Sequence, residues 1–453
     1  MKPNILWICT DQQRFDSLGC YGNSFVHTPH IDKLAQEGIL FENTYCNSTI
    51  CSPSRASFLT GRYPRTIKFT KNGQSIPDTE VLVTRLLNEA GYTCGLSGKL
   101  HISACHPSVS KGMERRIHDG YDLFHWSHHP KEDWPVNEYS HWLRSRGKKY
   151  ASRTIDDCEY VEYGPDAEDH QATWCADKAI EFIEAQAQFE QPWLFSVNIF
   201  APHHPFDPPE GHMRRYLDRL DEIPLPSYAE GELDSKPAVQ RRDHKGAYAN
   251  PKLYPFHKMS ERDHRYIRAA YWAMCDLVDE QVGRMLEALE RTGQWNNTIV
   301  IYMSDHGELL GDHGIYLKGL HFYEESVHVP LIISYPGTFM ANTRKSTFVE
   351  LLDLAPTLLE AAGVPMHPGI QGKSLMPVLT GVQADHREDI FCEVEESRGE
   401  EEGSAGAVMV RTKTHKLVLH YPSNEGELYD LQTDPQERDN LWDNFKHMKG
   451  SCL

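Results

Sequence analysis

Cys51-Ser52-Pro53-Ser54-Arg55-Ala56-Ser57-Phe58-Leu59-Thr60-Gly61-Arg62 reads as a short helix with a cysteine at its entrance. Serine suits an N-cap and proline a first helical position, so Ser52 and Pro53 are expected to open the helix and Gly61 to stop it. Cys51 would then sit at a helix N-terminus, where free backbone N–H groups and the dipole favour an anion. Arg55 lies one turn on, on the same face, and adds a fixed positive charge. A nucleophile that faces an oxyanion needs such surroundings.

Outward from this stretch the chain alternates strand and helix. Asn4-Ile5-Leu6-Trp7-Ile8-Cys9 reads as a first strand, and Thr28-Pro29 opens a helix with Leu34 and Ala35 facing inward. Asp78-Thr79 is expected to start a helix that Gly91 stops, followed by a short strand at 93–96. A helix over 172–185 precedes the apolar run at 193–200. Ser260 and Asp263 form a capping-box pattern ahead of the longest helix, whose apolar residues from Tyr266 to Leu289 keep helical spacing. The runs at 298–303 and 329–334 are continuous and apolar, as in strands of a buried parallel sheet. After about Gly369, strand-like runs at 390–394, 408–411 and 416–420 follow one another. The expected architecture is α/β: a mostly parallel sheet flanked by helices over 1–368, and a small antiparallel C-terminal subdomain over 369–453. The acidic stretch 393–402 reads as a solvated loop, and 201–260, rich in Pro, His and charge, as an insertion that roofs an active site.

Composition narrows the function. The 453 residues are 40% hydrophobic and 25% charged, which excludes a disordered chain, a collagen-like fibre and a disulfide mini-protein. No apolar stretch approaches the ~20 residues that span a bilayer. Lys+Arg 46 against Asp+Glu 65 gives a net charge of −19, which repels nucleic acid and anionic membranes, so neither is expected as a partner. An anionic substrate would need a locally basic pocket or a metal. The 11 cysteines include no Cys-x-x-Cys pair, and Cys9, Cys94, Cys175 and Cys275 lie in apolar segments. These read as reduced, buried thiols, and with no secretory signal seen the expected location is cytoplasmic.

Asp11 and Gln12 end the first strand, and Asp305 and His306 end the strand at 298–303. Open α/β sheets place their sites at the carboxyl ends of strands, so the two pairs can meet around a divalent cation. Either pair alone is better read as a turn or cap residue.

The run Cys-x-Pro-Ser-Arg followed by Leu-Thr-Gly-Arg resembles the signature of the type I sulfatases, within the alkaline-phosphatase-like superfamily. The resemblance implies that Cys51 is converted to Cα-formylglycine by a formylglycine-generating enzyme. It assigns Asp11, Gln12, Asp305 and His306 to the cation, with an oxygen from position 51. Many sulfatases carry Asp in place of Gln12 and Asn in place of His306. The Gln/His combination also occurs in phosphonate monoester hydrolases and in some sulfatases. The family points to calcium; the imidazole leaves Mn²⁺ or Zn²⁺ open. Gly98-Lys99-Leu100-His101 resembles the family's Gly-Lys-x-His motif, from which phosphonate hydrolases depart. Ala201-Pro202-His203-His204-Pro205 resembles its Pro-His-x-Pro loop, and Lys318 stands where the family has a sulfate-binding lysine.

The implied reaction is hydrolysis of a sulfate monoester of a sugar or small aryl alcohol. One hydroxyl of the aldehyde hydrate, activated by the cation and Asp305, attacks sulfur; the second later expels sulfate. The resemblance gives Arg55, Lys99 and Lys318 to the sulfuryl oxygens and His203 to the leaving-group proton, with Lys318 sharing that role. His101 orients the hydrate or assists the second step. Loops 103–170 and 203–260 would shape the leaving-group pocket, with Trp126, His128, His129, Trp134, Tyr160 and Tyr163 either stacking on a ring or anchoring the loops. Two other readings compete: a phosphonate monoester or phosphodiester hydrolase on the same scaffold, and a binding protein that keeps the pocket but never matures.

Overall fold

Three apolar runs, at residues 4–9, 193–200 and 298–303, lie side by side and parallel at the centre of one sheet. A computed structural model describes residues 2–110, 112–397 and 404–443. Its strands are β1 (Asn4–Asp11), β2 (Ile39–Tyr45), β3 (Thr93–Gly98), β4 (Leu123–Trp126), β5 (Arg153–Ile155), β6 (Cys158–Tyr163), β7 (Trp193–Pro202), β8 (Thr298–Ser304), β9 (His328–Val329), β10 (Leu331–Ser334), β11 (Thr343–Glu350), β12 (Asp389–Ser397), β13 (Ser404–Thr412), β14 (His415–Tyr421) and β15 (Gly426–Asp430). The helices used below are α1 (Pro29–Gln36), α2 (Cys51–Thr60), α3 (Val83–Glu89), α4 (Glu138–Ser145), α5 (Gln171–Gln186), α6 (Glu210–Leu217), α7 (Ala238–Asp243) and α8 (Glu261–Arg291).

The main sheet runs β11-β2-β10-β8-β1-β7-β3-β4, with β9 beside β2. It is the expected mixed, mostly parallel sheet. Side chains of β1 alternate between its two faces: Ile5, Trp7 and Cys9 enter the core that holds Phe58 and Leu59 of α2, and Leu6 and Ile8 enter the core that holds α1, α5 and the C-terminal part of α8. Both faces are covered, which is why the strands read as unbroken apolar runs. The capping box of Ser260 and Asp263 opens α8 as expected. The C-terminal strands form an antiparallel sheet, β12-β13-β14-β15, and its Val394, Ala407 and Met409 join the same apolar core as Trp7.

Several local expectations are corrected. The run at 329–334 is not a parallel strand. Pro330, with no N–H for a ladder, splits it into β9 and β10, and β10 runs antiparallel to both β8 and β2. The helix expected from Asp78 begins only at Val83, because the acidic residues before it serve tertiary pairs instead: Asp78 meets Arg115, and Glu80 meets Arg62 at 2.7 Å. The acidic stretch at 393–402 is strand as far as Ser397, in β12, and residues 398–403 lie outside the described ones. Strand β15, the edge strands β4 and β11, and β2 beside β11 gave no clear sequence signal. The 201–260 insertion carries α6 and α7.

Gly98 ends β3 with φ +99°, and a Cβ there would lie 1.9 Å from the carbonyl oxygen of Asn198 on β7. The close approach lets the Lys99 N–H bond that same carbonyl at 3.1 Å and turns the chain into the site. Gly98→Ala is therefore expected to destabilise the protein by at least ~2 kcal/mol, from strain plus backbone overlap. Urea denaturation followed by far-UV circular dichroism would measure it; an unchanged midpoint would show that the β3–β7 contact is dispensable.

Candidate active site

Register sets the site. Thr10 of β1 pairs with Ser304 of β8, so Asp11 and Asp305, each one residue on, emerge together at the carboxyl edge of the sheet. Both carboxylates are fully buried. Arg55 reaches both from α2: its Nε donates to Asp305 Oδ2 at 2.8 Å and an Nη to Asp11 Oδ2 at 3.3 Å. Its remaining Nη donates to the Lys99 carbonyl at 2.6 Å. The guanidinium is thus turned into the protein and away from the cavity. The expectation set it on the sulfuryl oxygens; the structure places it on two buried carboxylates, which are stronger partners for a guanidinium than an open pocket.

Helix α2 begins at Cys51 itself, with Ile50 as extended N-cap, so Ser52 is not the cap and Pro53 falls inside the first turn. Proline is tolerated there because first-turn N–H groups have no helical acceptor. The Ser52 N–H instead donates to the Asn72 side chain at 3.1 Å. Gly61 closes the helix in the left-handed conformation, as expected.

Around the Cys51 sulfur stand Lys318 Nζ at 3.0 Å, His306 Nε2 at 3.2 Å and Asp11 Oδ1 at 3.6 Å, with the rings of His101 and His203 in contact. Position 51 carries a thiol here; the sulfur marks where the oxygen of a matured side chain would lie. Burial opposes ionisation of this thiol, but Lys318, Lys99 and His306 outweigh it and draw its pKa well below the ordinary range. Burial and Asp11 together push Asp305 up, whereas Lys99, His203 and Arg55 overcome burial at Asp11 and draw it down. Lys99 Nζ meets Asp11 Oδ2 at 2.5 Å.

The residues fit a divalent cation. Asp11, Cys51, Asp305 and His306 each offer a ligand atom, all within 4.8 Å of one another. His306 Nδ1–H donates to the Gly307 carbonyl at 2.9 Å, which leaves the Nε2 lone pair facing the carboxylates. Gln12, expected among the ligands, turns its amide oxygen to Lys318 Nζ at 2.7 Å and its amide N–H₂ to Glu308.

Cys51 opens onto a cavity of about 460 Å³, lined also by Lys99, His101, His128, Trp134 and His203. Asn72, Tyr248 and Lys318 form its border with a second cavity of about 790 Å³, where Lys71, Arg242 and Glu396 lie. Of the expected aromatic lining, His128, His129 and Trp134 face the first cavity. Trp126 is fully buried and donates to Glu114 at 2.9 Å, and Tyr160 packs on Tyr254, so these anchor loops; Tyr163 lies under Arg153.

Sequence reasoning missed four contributors. Asn72 and Tyr248 line both cavities. Glu308 accepts the N–H groups of Leu310 at 2.9 Å and Leu317 at 2.6 Å, which holds the loop that carries Lys318. Glu114 accepts the N–H groups of His101, Ile102 and Ser103. Glu308 lies two residues after His306, a spacing that offered a faint signal; the other three stand in no motif.

The family model described as Sulfatase matches residues 3–364. The chain belongs to the sulfatase family. A second model, N-sulphoglucosamine sulphohydrolase, C-terminal, matches residues 311–450. An arylsulfatase of Clostridium perfringens is 30% identical, with 97% of this chain and 90% of that protein covered. A structure of a protein with its substrate D-glucosamine-2-N,6-O-disulfate is 26% identical with a TM-score of 0.75, over 100% of this chain and 95% of that one. The phosphonate monoester hydrolase of Agrobacterium radiobacter is also 26% identical, with a TM-score of 0.82, over 97% of this chain and 91% of that one. The protein is a sulfatase, an enzyme of sulfate ester hydrolysis.

Arg55 is the ionic anchor between α2 and the two acidic strand ends of this sulfatase. Arg55→Ala is expected to lower unfolding free energy by about 3–5 kcal/mol, because it leaves two buried carboxylates without their shared partner. Arg55→Lys should recover only part, since one ammonium cannot bridge both carboxylates and the Lys99 carbonyl. Denaturant unfolding of the three proteins checks the order.

Proposed function

We propose that this sulfatase cleaves carbohydrate or aryl sulfate monoesters with a formylglycine made from Cys51 and a divalent cation, calcium first. The observation that carries the reading is the position of Cys51, which heads a buried helix between an acidic ligand cluster and two lysines. Asp11, Asp305, His306 and the matured side chain would hold the cation. Such a cation supplies Lewis-acid charge at the sulfuryl oxygens and lowers the pKa of a hydroxyl at position 51.

The chain's own residues do the rest. Lys99 and Lys318 bind the sulfuryl oxygens as charge develops on them. Gln12 and Glu308 orient Lys318, and Arg55 positions the carboxylates without touching substrate. His203 donates its Nδ1–H to the His204 carbonyl at 2.5 Å, so its Nε2, on the side of position 51, is the atom that delivers a proton to the departing alcohol oxygen. Burial first and Lys318 next bring His203 down to about 4 in the substrate-free site. An entering sulfate ester adds negative charge beside it and raises that value. His101 is held neutral at about 4, by burial and then Lys99, and can accept a proton from the matured side chain in the second step.

Gln12 and His306 favour a second reading, phosphonate monoester hydrolysis, to which the Agrobacterium radiobacter likeness adds weight. Lys99 and His101 favour sulfate esters.

Co-expression with a formylglycine-generating enzyme is expected to give a Cys51 peptide with the mass loss of thiol-to-aldehyde conversion. Cys51→Ala should fold yet lose at least about a thousand-fold in kcat/KM; near-normal turnover would refute the nucleophile. An aryl sulfate should outrun the matching aryl phosphonate by at least about a hundred-fold, and the reverse order would select the second reading. His203→Ala should slow alkyl sulfates far more than nitrophenyl sulfates, because a good leaving group needs no proton.

A further inference from the structure

We propose that His101, Cys105 and His128 form a second metal site, for zinc or another borderline cation, in the wall of the active-site cavity. All three line the cavity of about 460 Å³ that opens on Cys51. Each offers one ligand atom, and the three atoms lie within 4.8 Å of one another. His101 is 8% exposed and Cys105 6% exposed. The ring Nδ1 atoms of His101 and His128 are both buried and have no hydrogen-bond partner among the described residues, while the two rings pack with centroids 4.3 Å apart. Buried imidazole nitrogens ordinarily find partners, and two orphans beside a thiol are accounted for by a ligand they share.

The donor set differs in kind from the acidic cluster. Two imidazoles and a sulfur suit zinc, cobalt or cadmium, whereas the carboxylates at Asp11 and Asp305 suit a hard cation. The nearby charge of Lys99 is compensated by its pairing with Asp11 at 2.5 Å. On binding, the Cys105 thiol releases its proton to solvent, and the thiolate adds negative charge to the site. Ligand atoms around a tetrahedral zinc stand roughly 3.3–3.7 Å apart, so the group must close by roughly 1 Å at most. The fold allows this. Glu114 pins the backbone of 101–103, but Ala104 and Cys105 have no regular secondary structure.

Three protein ligands leave a fourth position facing the cavity. A cation there occupies His101 and narrows the approach to Cys51, so the site is inhibitory. That consequence rests on the role proposed for His101; the binding does not.

The test separates the two. Cys51→Ala protein, saturated with Ca²⁺, is titrated with Co²⁺, and a thiolate-to-cobalt charge-transfer band is expected. The band should vanish in Cys51→Ala/Cys105→Ser and shrink in Cys51→Ala/His128→Ala. Absence of the band, or its persistence without Cys105, overturns the site. In parallel, matured enzyme is assayed with added Zn²⁺. Inhibition is expected, and Cys105→Ser, with unchanged activity in the absence of zinc, should need at least about tenfold more zinc for the same inhibition. Equal sensitivity of that variant overturns the inhibitory role. A cobalt band without zinc inhibition keeps the site and overturns the role given to His101.

Discussion

Two carboxylates that solvent does not reach, Asp11 and Asp305, stand side by side at the ends of adjacent parallel strands, and the active site is arranged around their charge. Buried like charges are tolerated only with compensation. Arg55 supplies part of it by bridging both, Lys99 supplies more at Asp11, and a bound cation would supply the rest. This demand explains the placement of α2. The helix must lie against the carboxyl edge of β1 and β8 for Arg55 to reach, and that placement delivers Cys51 to the same point. It also explains the tight turn at Gly98, which brings Lys99 onto Asp11.

A protein of net charge −19 that handles an anionic ester has to reverse its own field locally. Lys99, Lys318 and the helix N-terminus achieve this around position 51, with Lys71 and Arg242 in the neighbouring cavity. The two lysines are held by neighbours rather than left mobile: Lys99 by Asp11, and Lys318 by Gln12 and Cys51. Held cations stabilise developing charge without reorganising during reaction.

The same frame resembles structures of both a phosphonate monoester hydrolase and a protein that acts on a sulfated glucosamine. Backbone likeness therefore does not decide the chemistry, which lies in a few side chains at the cavity. Here Gln12 and His306 lean one way and Lys99 and His101 the other.

The central strands were legible because burial on both faces makes them continuous apolar runs, and α8 because its capping box and helical spacing agree. Asp11, Cys51, Asp305 and His306 were legible because strand ends and a helix start have local signatures. Strands β2 and β11, at one end of the sheet, were not, since their half-polar pattern resembles loop, and Pro330 concealed the reversal of β10. What only tertiary structure decided is direction and pairing. Arg55 turned inward rather than to the cavity, Gln12 turned to Lys318, and Glu308 and Glu114 took up backbone N–H groups on loops. None of these follows from sequence spacing, because a long polar side chain takes the strongest partner within reach, and only the folded chain determines what is within reach.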